Sequence, residues 1–209
     1  MGILRSGILG GVKNKIGGVV GYNSRGQDII RSYAVPTNPN TTLQQEQRTL
    51  FQNVVLALSS CWVEDIKRIW DLIQSGKTVT GWSRAVKVNL DLQTSAGFDW
   101  TLFRPVTGNR EHFNSIEAEY DSSIGTKVTF IYDTYGMSYD PAELVGAGLV
   151  IDKVRRLAWL GYITEWDPDN YFDVNILAGT PQANLECYAW CTNPLHTAAS
   201  PAVHVPFTN

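Results

Sequence analysis

The sequence predicts an α+β fold: an N-terminal glycine-rich β-hairpin arm, a two-helix segment and a C-terminal antiparallel β-sandwich, immunoglobulin-like or jelly-roll-like. Three observations predict it. Eight of the 18 glycines fall within the first 26 residues. Apolar residues then recur at helical spacing through the forties to the seventies. From Asp99 onward, short runs rich in Val, Ile, Tyr and Trp alternate with turn residues, at a spacing of roughly 10–15 residues. The expected organisation is an arm over 1–35, a helical segment over 36–95 and a sandwich over 96–209.

In the arm, Ile16–Tyr22 and Gln27–Tyr33 read as two strands around Asn23-Ser24-Arg25-Gly26, a loop ending in the glycine that a left-handed position needs. Gly17, Gly18 and Gly21 interrupt the first strand. A strand so poor in side chains packs weakly on itself and lets a second backbone approach closely. The arm is also basic. Arg5, Lys13, Lys15, Arg25 and Arg31 against Asp28 give residues 1–35 a net charge of +4, and the remainder carries −7, within a total of −3.

Pro36 and Pro39 break the pattern. Thr41 and Gln44 then have the spacing of a capping box, followed by an apolar stripe of Leu43, Leu50, Phe51, Val54, Val55 and Leu58. Ser59-Ser60 either joins or breaks this helix and the next, whose stripe is Trp62, Ile66, Ile69, Trp70 and Ile73. Gly76 ends the second helix. Thr80-Gly81 is placed to start a short helix through Trp82, Ala85, Val86 and Asn89. The expected strands are Ser115–Asp121, Thr126–Tyr132, Leu144–Asp152, Arg156–Glu165, Phe172–Leu177 and Leu185–Thr192, with Pro194–Asn209 as a last edge strand or an extension.

Composition bounds the function. With 44% hydrophobic and 18% charged residues, the chain reads as globular rather than disordered. Seven Trp and nine Tyr suit either interfaces or a Trp-rich sandwich core. No apolar run reaches the ~18 residues of a membrane span. Cys187 and Cys191 lie four apart in one predicted strand, on one face, and so do not face each other as a bridge; buried free thiols are expected. Joined with His196 and His204 they match no usual zinc spacing.

No Gly-x-Ser-x-Gly elbow, Walker loop or His-Glu-x-x-His occurs. Gly17, Gly18 and Gly21 are not followed by a helix, which removes a phosphate-binding reading. No catalytic residue and no cofactor are therefore assigned. The oxygen-rich stretch from Glu165 to Asp173 nominates Asp167, Asp169 and Asp173 for calcium, but it lacks EF-hand spacing and also reads as an ordinary turn between strands.

Two stretches resemble known groups. Asn14-Lys15-Ile16-Gly17-Gly18-Val19-Val20-Gly21, then Gly26 and Arg31-Ser32, resembles the opening of a Bacteroidota family that begins Gly-Lys-Ile-Gly-x-Val-Val-Gly; Asn14 stands where that family has Gly. Asn38, Pro39, Thr41, Gln44, Arg48, Phe51, Trp62, Lys67 or Arg68, and Trp70 resemble a motif of phage and prophage proteins, Asn-Pro-x-Thr…Gln…Arg, then Phe, Trp and Arg-x-x-Trp. The resemblance spans residues 7–90 and implies a virion structural component without catalysis, assembled in the bacterial cytoplasm.

The expectation is a self-assembling subunit of a phage or phage-derived particle, a capsid subunit first and a tail, head-fibre or decoration subunit next. Its assembly arm comprises Lys13, Lys15, Gly17, Gly18, Gly21, Arg25, Gly26 and Arg31. Its partners are copies of itself and other virion proteins, with nucleic acid as a further contact of the basic arm and no membrane. The alternative is an immunoglobulin-like binding module of a tail, head-fibre or bacterial surface, with calcium at Asp167–Asp173.

Overall fold

The structure is a computed structural model. It describes residues 2–4, 14–24, 27–35, 40–93, 97–110, 112–121, 127–133, 145–163 and 171–208. The chain divides into two compact units, Met1–Thr41 and Thr42–Asn209. The helices belong to the second unit with the sandwich, so no division between units falls near residue 95.

The first unit is a four-stranded antiparallel sheet. Its strands are β1 (Gly2–Leu4), β2 (Asn14–Ile16), β3 (Val19–Ser24) and β4 (Gln27–Ser32), in the order β1-β4-β3-β2. The expected hairpin is present in β3 and β4, but its strands run closer together than foreseen, with Ser24 opposite Gln27. The expected first strand is in fact two. Ile16 pairs with Val19 across Gly17-Gly18, and Gly17 has φ +59°. Two-residue hairpin loops of the primed type require such a left-handed residue at their first position. The glycines that seemed to weaken one strand instead turn the chain between two.

In the second unit, α1 (Thr42–Cys61) buries Val54, Ala57, Leu58 and Cys61, the i, i+3, i+4, i+7 spacing of one helix face. Thr41 immediately precedes it. Leu43 and Phe51, expected on the buried stripe, are 77% and 49% exposed. The buried residues of α1 all fall in its second half, so the period was right and burial does not follow it to the first turns. Nor does the helix break at Ser59-Ser60. Ser59 Oγ donates to Val55 O and Ser60 Oγ to Ala57 O, each at 2.7 Å, so both hydroxyls bond back within the helix instead of ending it. The break comes at Trp62-Val63, before α2 (Glu64–Ile73).

Gly76 follows α2 with φ +77°. A third helix, α3 (Gly81–Leu92), then forms where Thr80-Gly81 predicted it; the Thr80 side chain accepts from Ser83 N–H at 3.2 Å, an N-cap.

The sandwich strands are β5 (Ser115–Tyr120), β6 (Lys127–Asp133), β7 (Val145–Asp152), β8 (Leu157–Tyr162), β9 (Tyr171–Asn175), β10 (Leu185–Thr192) and β11 (Val203–Val205). They form two antiparallel sheets, β11-β10-β7-β8 and β5-β6-β9. Between them Phe130 and Phe172 stack at 5.0 Å and pack with Val128, Val150, Val174, Cys187, Ala189 and Cys191. Gly148 of β7 admits this stack, because a Cβ there would come within 2.7 Å of the Phe172 ring.

The four-stranded sheet is covered on both faces. Ala147, Leu149 and Ile151 of β7 and Tyr188 and Trp190 of β10 point away from the sandwich core, into a second core with Leu58, Ile66, Ile69 and Trp70 of the helices. The body is thus three layers, helices on sheet on sheet, rather than a helical segment followed by a free sandwich. Burying a large apolar side chain contributes roughly 1.5–3 kcal/mol, so both cores are substantial. Trp70 Nε1 donates to Pro105 O at 2.8 Å, satisfying its one polar atom inside the layer.

Candidate assembly surface

The predicted arm residues fall in the first unit. Lys15 is on β2, Gly17 and Gly18 form the turn, Gly21 is mid-strand on β3 opposite Asn14 and Ile30, and Arg31 is on β4 opposite Val20. Lys13, Arg25 and Gly26 lie outside the described residues. Among the described residues, a Cβ at Gly17 or Gly18 would meet nothing within 4 Å.

Among the described side chains of this sheet, Ile29 is the one large hydrophobe that is buried. Val19, Tyr22, Tyr33 and Val35 are exposed. Tyr22 sits opposite Ile29, and the Arg31 guanidinium lies 5.5 Å from the centre of the Tyr22 ring, within cation–π range. Among the described residues, the sheet thus leaves several of its large apolar side chains at the surface. Its outer strands β1 and β2 each have a single partner strand in the sheet order, and such edges pair readily with further chains. The body differs: Phe207 bridges to Ala118 of β5 and Thr208 N–H donates to Ala118 O at 3.1 Å, which covers that edge near its middle.

The helix-motif residues separate. Trp62 packs edge-on against Trp82 with ring centres 4.7 Å apart, and Trp70 is fully buried. Arg48 and Phe51 lie on the exposed first half of α1. Asn38 and Pro39 lie outside the described residues. The motif therefore combines core residues with surface ones, and the surface part follows directly on the arm in the chain.

Asp173, the one calcium candidate among the described residues, does not offer a free carboxylate. Asp173 Oδ2 takes a hydrogen bond from Lys127 Nζ at 2.9 Å, and Asp173 Oδ1 takes one from Thr129 Oγ1 at 2.6 Å. Its carboxylate is thus engaged by a cation of its own sheet. Asp167 and Asp169 lie outside the described residues. Cys187 and Cys191 face the sandwich core, whereas His204 is opposite Tyr188, which points to the other face, so these side chains do not gather either.

One cluster was not foreseen. Glu186 on β10 receives Lys153 Nζ at 2.7 Å and stands 2.6 Å from His204 Nε2 on β11. It borders an open cavity of about 400 Å³ lined by Gln182, Leu185, Glu186, His204, Val205 and Phe207. Cys187, which also borders the cavity, is fully buried. Burial pushes its thiol well above the ordinary value, and the Glu186 charge adds to this, the opposite of an activated cysteine. The cluster's evident work is to hold β11 and the β7–β8 turn onto β10. No pattern in the sequence announces it, since its three members are brought together only by sheet pairing.

No family model, curated protein or solved structure matches this chain.

Proposed function

We propose that the chain is a non-enzymatic structural protein that self-assembles into a phage or phage-derived particle, as a capsid or other virion subunit. The observation that supports this most is the N-terminal sheet: four strands, two outer edges, and one buried large hydrophobe among its described side chains. Outer strands of this kind gain hydrogen-bond partners by joining another chain. In the second unit, the exposed Leu43 and Phe51 of α1 add apolar surface of their own. The resemblance of Asn38–Trp70 to a motif of phage and prophage proteins is what suggests the class of particle.

An electron micrograph of the purified full-length protein tests the reading. Closed shells, tubes or other regular multimers are expected. A field of isolated single-chain particles at high protein concentration contradicts it.

A further inference from the structure

The outer face of the β5-β6-β9 sheet is exposed among the described residues. Ser115, Glu117 and Glu119 of β5 and Tyr171, Asp173 and Asn175 of β9 are exposed, with Ile131 of β6 between them. Register orders the face in rows. Glu117, Ile131 and Tyr171 lie across one, and Glu119, Thr129 and Asp173 across the next. Ile131 and Tyr171 are 37% and 41% exposed, which places an apolar pair beside two carboxylates.

Two carboxylates of this face are uncompensated among the described residues. Lys127 is committed to Asp173 at 2.9 Å. Among the described residues, Glu117 and Glu119 have no hydrogen-bond or ion-pair partner. Two like charges on neighbouring positions of one strand face are mutually repulsive, and a cationic partner relieves that repulsion.

We propose that this face receives the basic N-terminal sheet of a second copy of the chain. The proposal rests on the assembly reading and names its receptor. Complementarity is twofold. Residues 1–35 carry a net +4 against −7 for the rest of the chain, so arm and body of separate copies attract. The arm also presents an aromatic ring with a guanidinium over it, Tyr22 and Arg31, to meet an apolar pair flanked by Glu117 and Glu119. Two sheets stack face to face about 10 Å apart, through side chains of this size.

The face is small. Six residues of strand span about 20 Å and three strands about 10 Å between the outer two, a few hundred Å² against the roughly 800 Å² per partner of a standard stable interface. A single contact is therefore weak and salt-sensitive, and a particle holds by repeating it.

Sedimentation velocity on the full chain over a concentration series tests this, with circular dichroism confirming that each variant is folded. The set is wild type, E117R/E119R, R31E, the triple variant E117R/E119R/R31E, and E64R/D91R as a control with the same charge change on exposed helix positions. Self-association is expected to weaken about tenfold or more in E117R/E119R and in R31E, to recover in part in the triple variant, and to stay within about twofold of wild type in the control. It should also weaken from 0.05 to about 0.5 M salt.

Wild-type-like association of E117R/E119R overturns the docking face, while loss of association in R31E leaves the assembly reading standing. Equal weakening in the control overturns the face as well, because bulk charge then suffices. A wild type that stays monomeric overturns both readings. Association that requires an added oligonucleotide assigns the arm to nucleic acid and overturns the proposal.

Discussion

His204 Nε2 stands 2.6 Å from Glu186 Oε2, joining the three-residue strand β11 to β10 through side chains as well as backbone. Lys153 Nζ reaches the other carboxylate oxygen of Glu186 at 2.7 Å. Burial by itself raises the Glu186 carboxyl, but the hydrogen bonds from His204 and Lys153 outweigh it and hold the group below its ordinary value. A carboxylate so favoured in the folded state stabilises above its unfolded pKa of about 4.3. That stabilisation is lost as pH falls through the lower, folded value. Glu186→Gln is therefore expected to destabilise by roughly 1–3 kcal/mol at pH 7. The difference from wild type should shrink as pH drops below about 4. Chemical denaturation at a series of pH values measures both.

Asn89 is fully buried on α3. Its amide donates to Ala85 O at 3.0 Å and Arg104 O at 2.9 Å, and its carbonyl accepts from Arg104 N–H at 2.7 Å. One side chain thus satisfies both backbone groups of Arg104, in a segment that lacks a strand partner there. Asn89→Ala leaves them unpaired and is expected to cost about 2–4 kcal/mol. The urea midpoint should fall with an unchanged m-value, since the surface exposed on unfolding is the same.

All three cysteines are free and buried. Burial pushes the Cys61 and Cys191 thiols up to about 12 and Cys187 well above its ordinary value. Because the thiolate is the reacting species, none should react with a disulfide reagent such as Ellman's in folded protein at pH 8. All three should react in denaturant. Rapid reaction of one thiol in folded protein would place it outside the cores described above.

Much of the body is legible in the sequence, because each sandwich strand is an apolar run bounded by turn residues. Ser115, Val145 and Leu185 start strands within one residue of where the pattern puts them. The layering was signalled but missed. Val145–Asp152 and Leu185–Thr192 are apolar on nearly every residue rather than on alternate ones, which is how a strand covered on both faces reads. That continuity demands a layer beyond the second sheet, and the helices are the elements that supply it. Local rules failed where a second partner decides the outcome. Leu43 and Phe51 keep the helical period yet are exposed on the first half of α1. Ser59-Ser60 left joining and breaking both open, and it is their hydroxyls, bonded back within the helix, that decide. At the candidate site, the glycine pattern located the arm and its turn. The acidic rows of β5 and β9 and the Glu186 cluster depend on strand register, which the sequence does not state.

The central claim is that the N-terminal sheet joins one copy to another. Both cores of the second unit are built from residues between Val54 and Val205, so residues 42–209 are expected to fold without the arm. Multi-angle light scattering on full-length protein and on residues 42–209, at matched concentration and low salt, tests the claim directly. The account predicts multimers for the full chain and a folded monomer for residues 42–209. Folded monomers in both samples, or equal assembly in both, would contradict it.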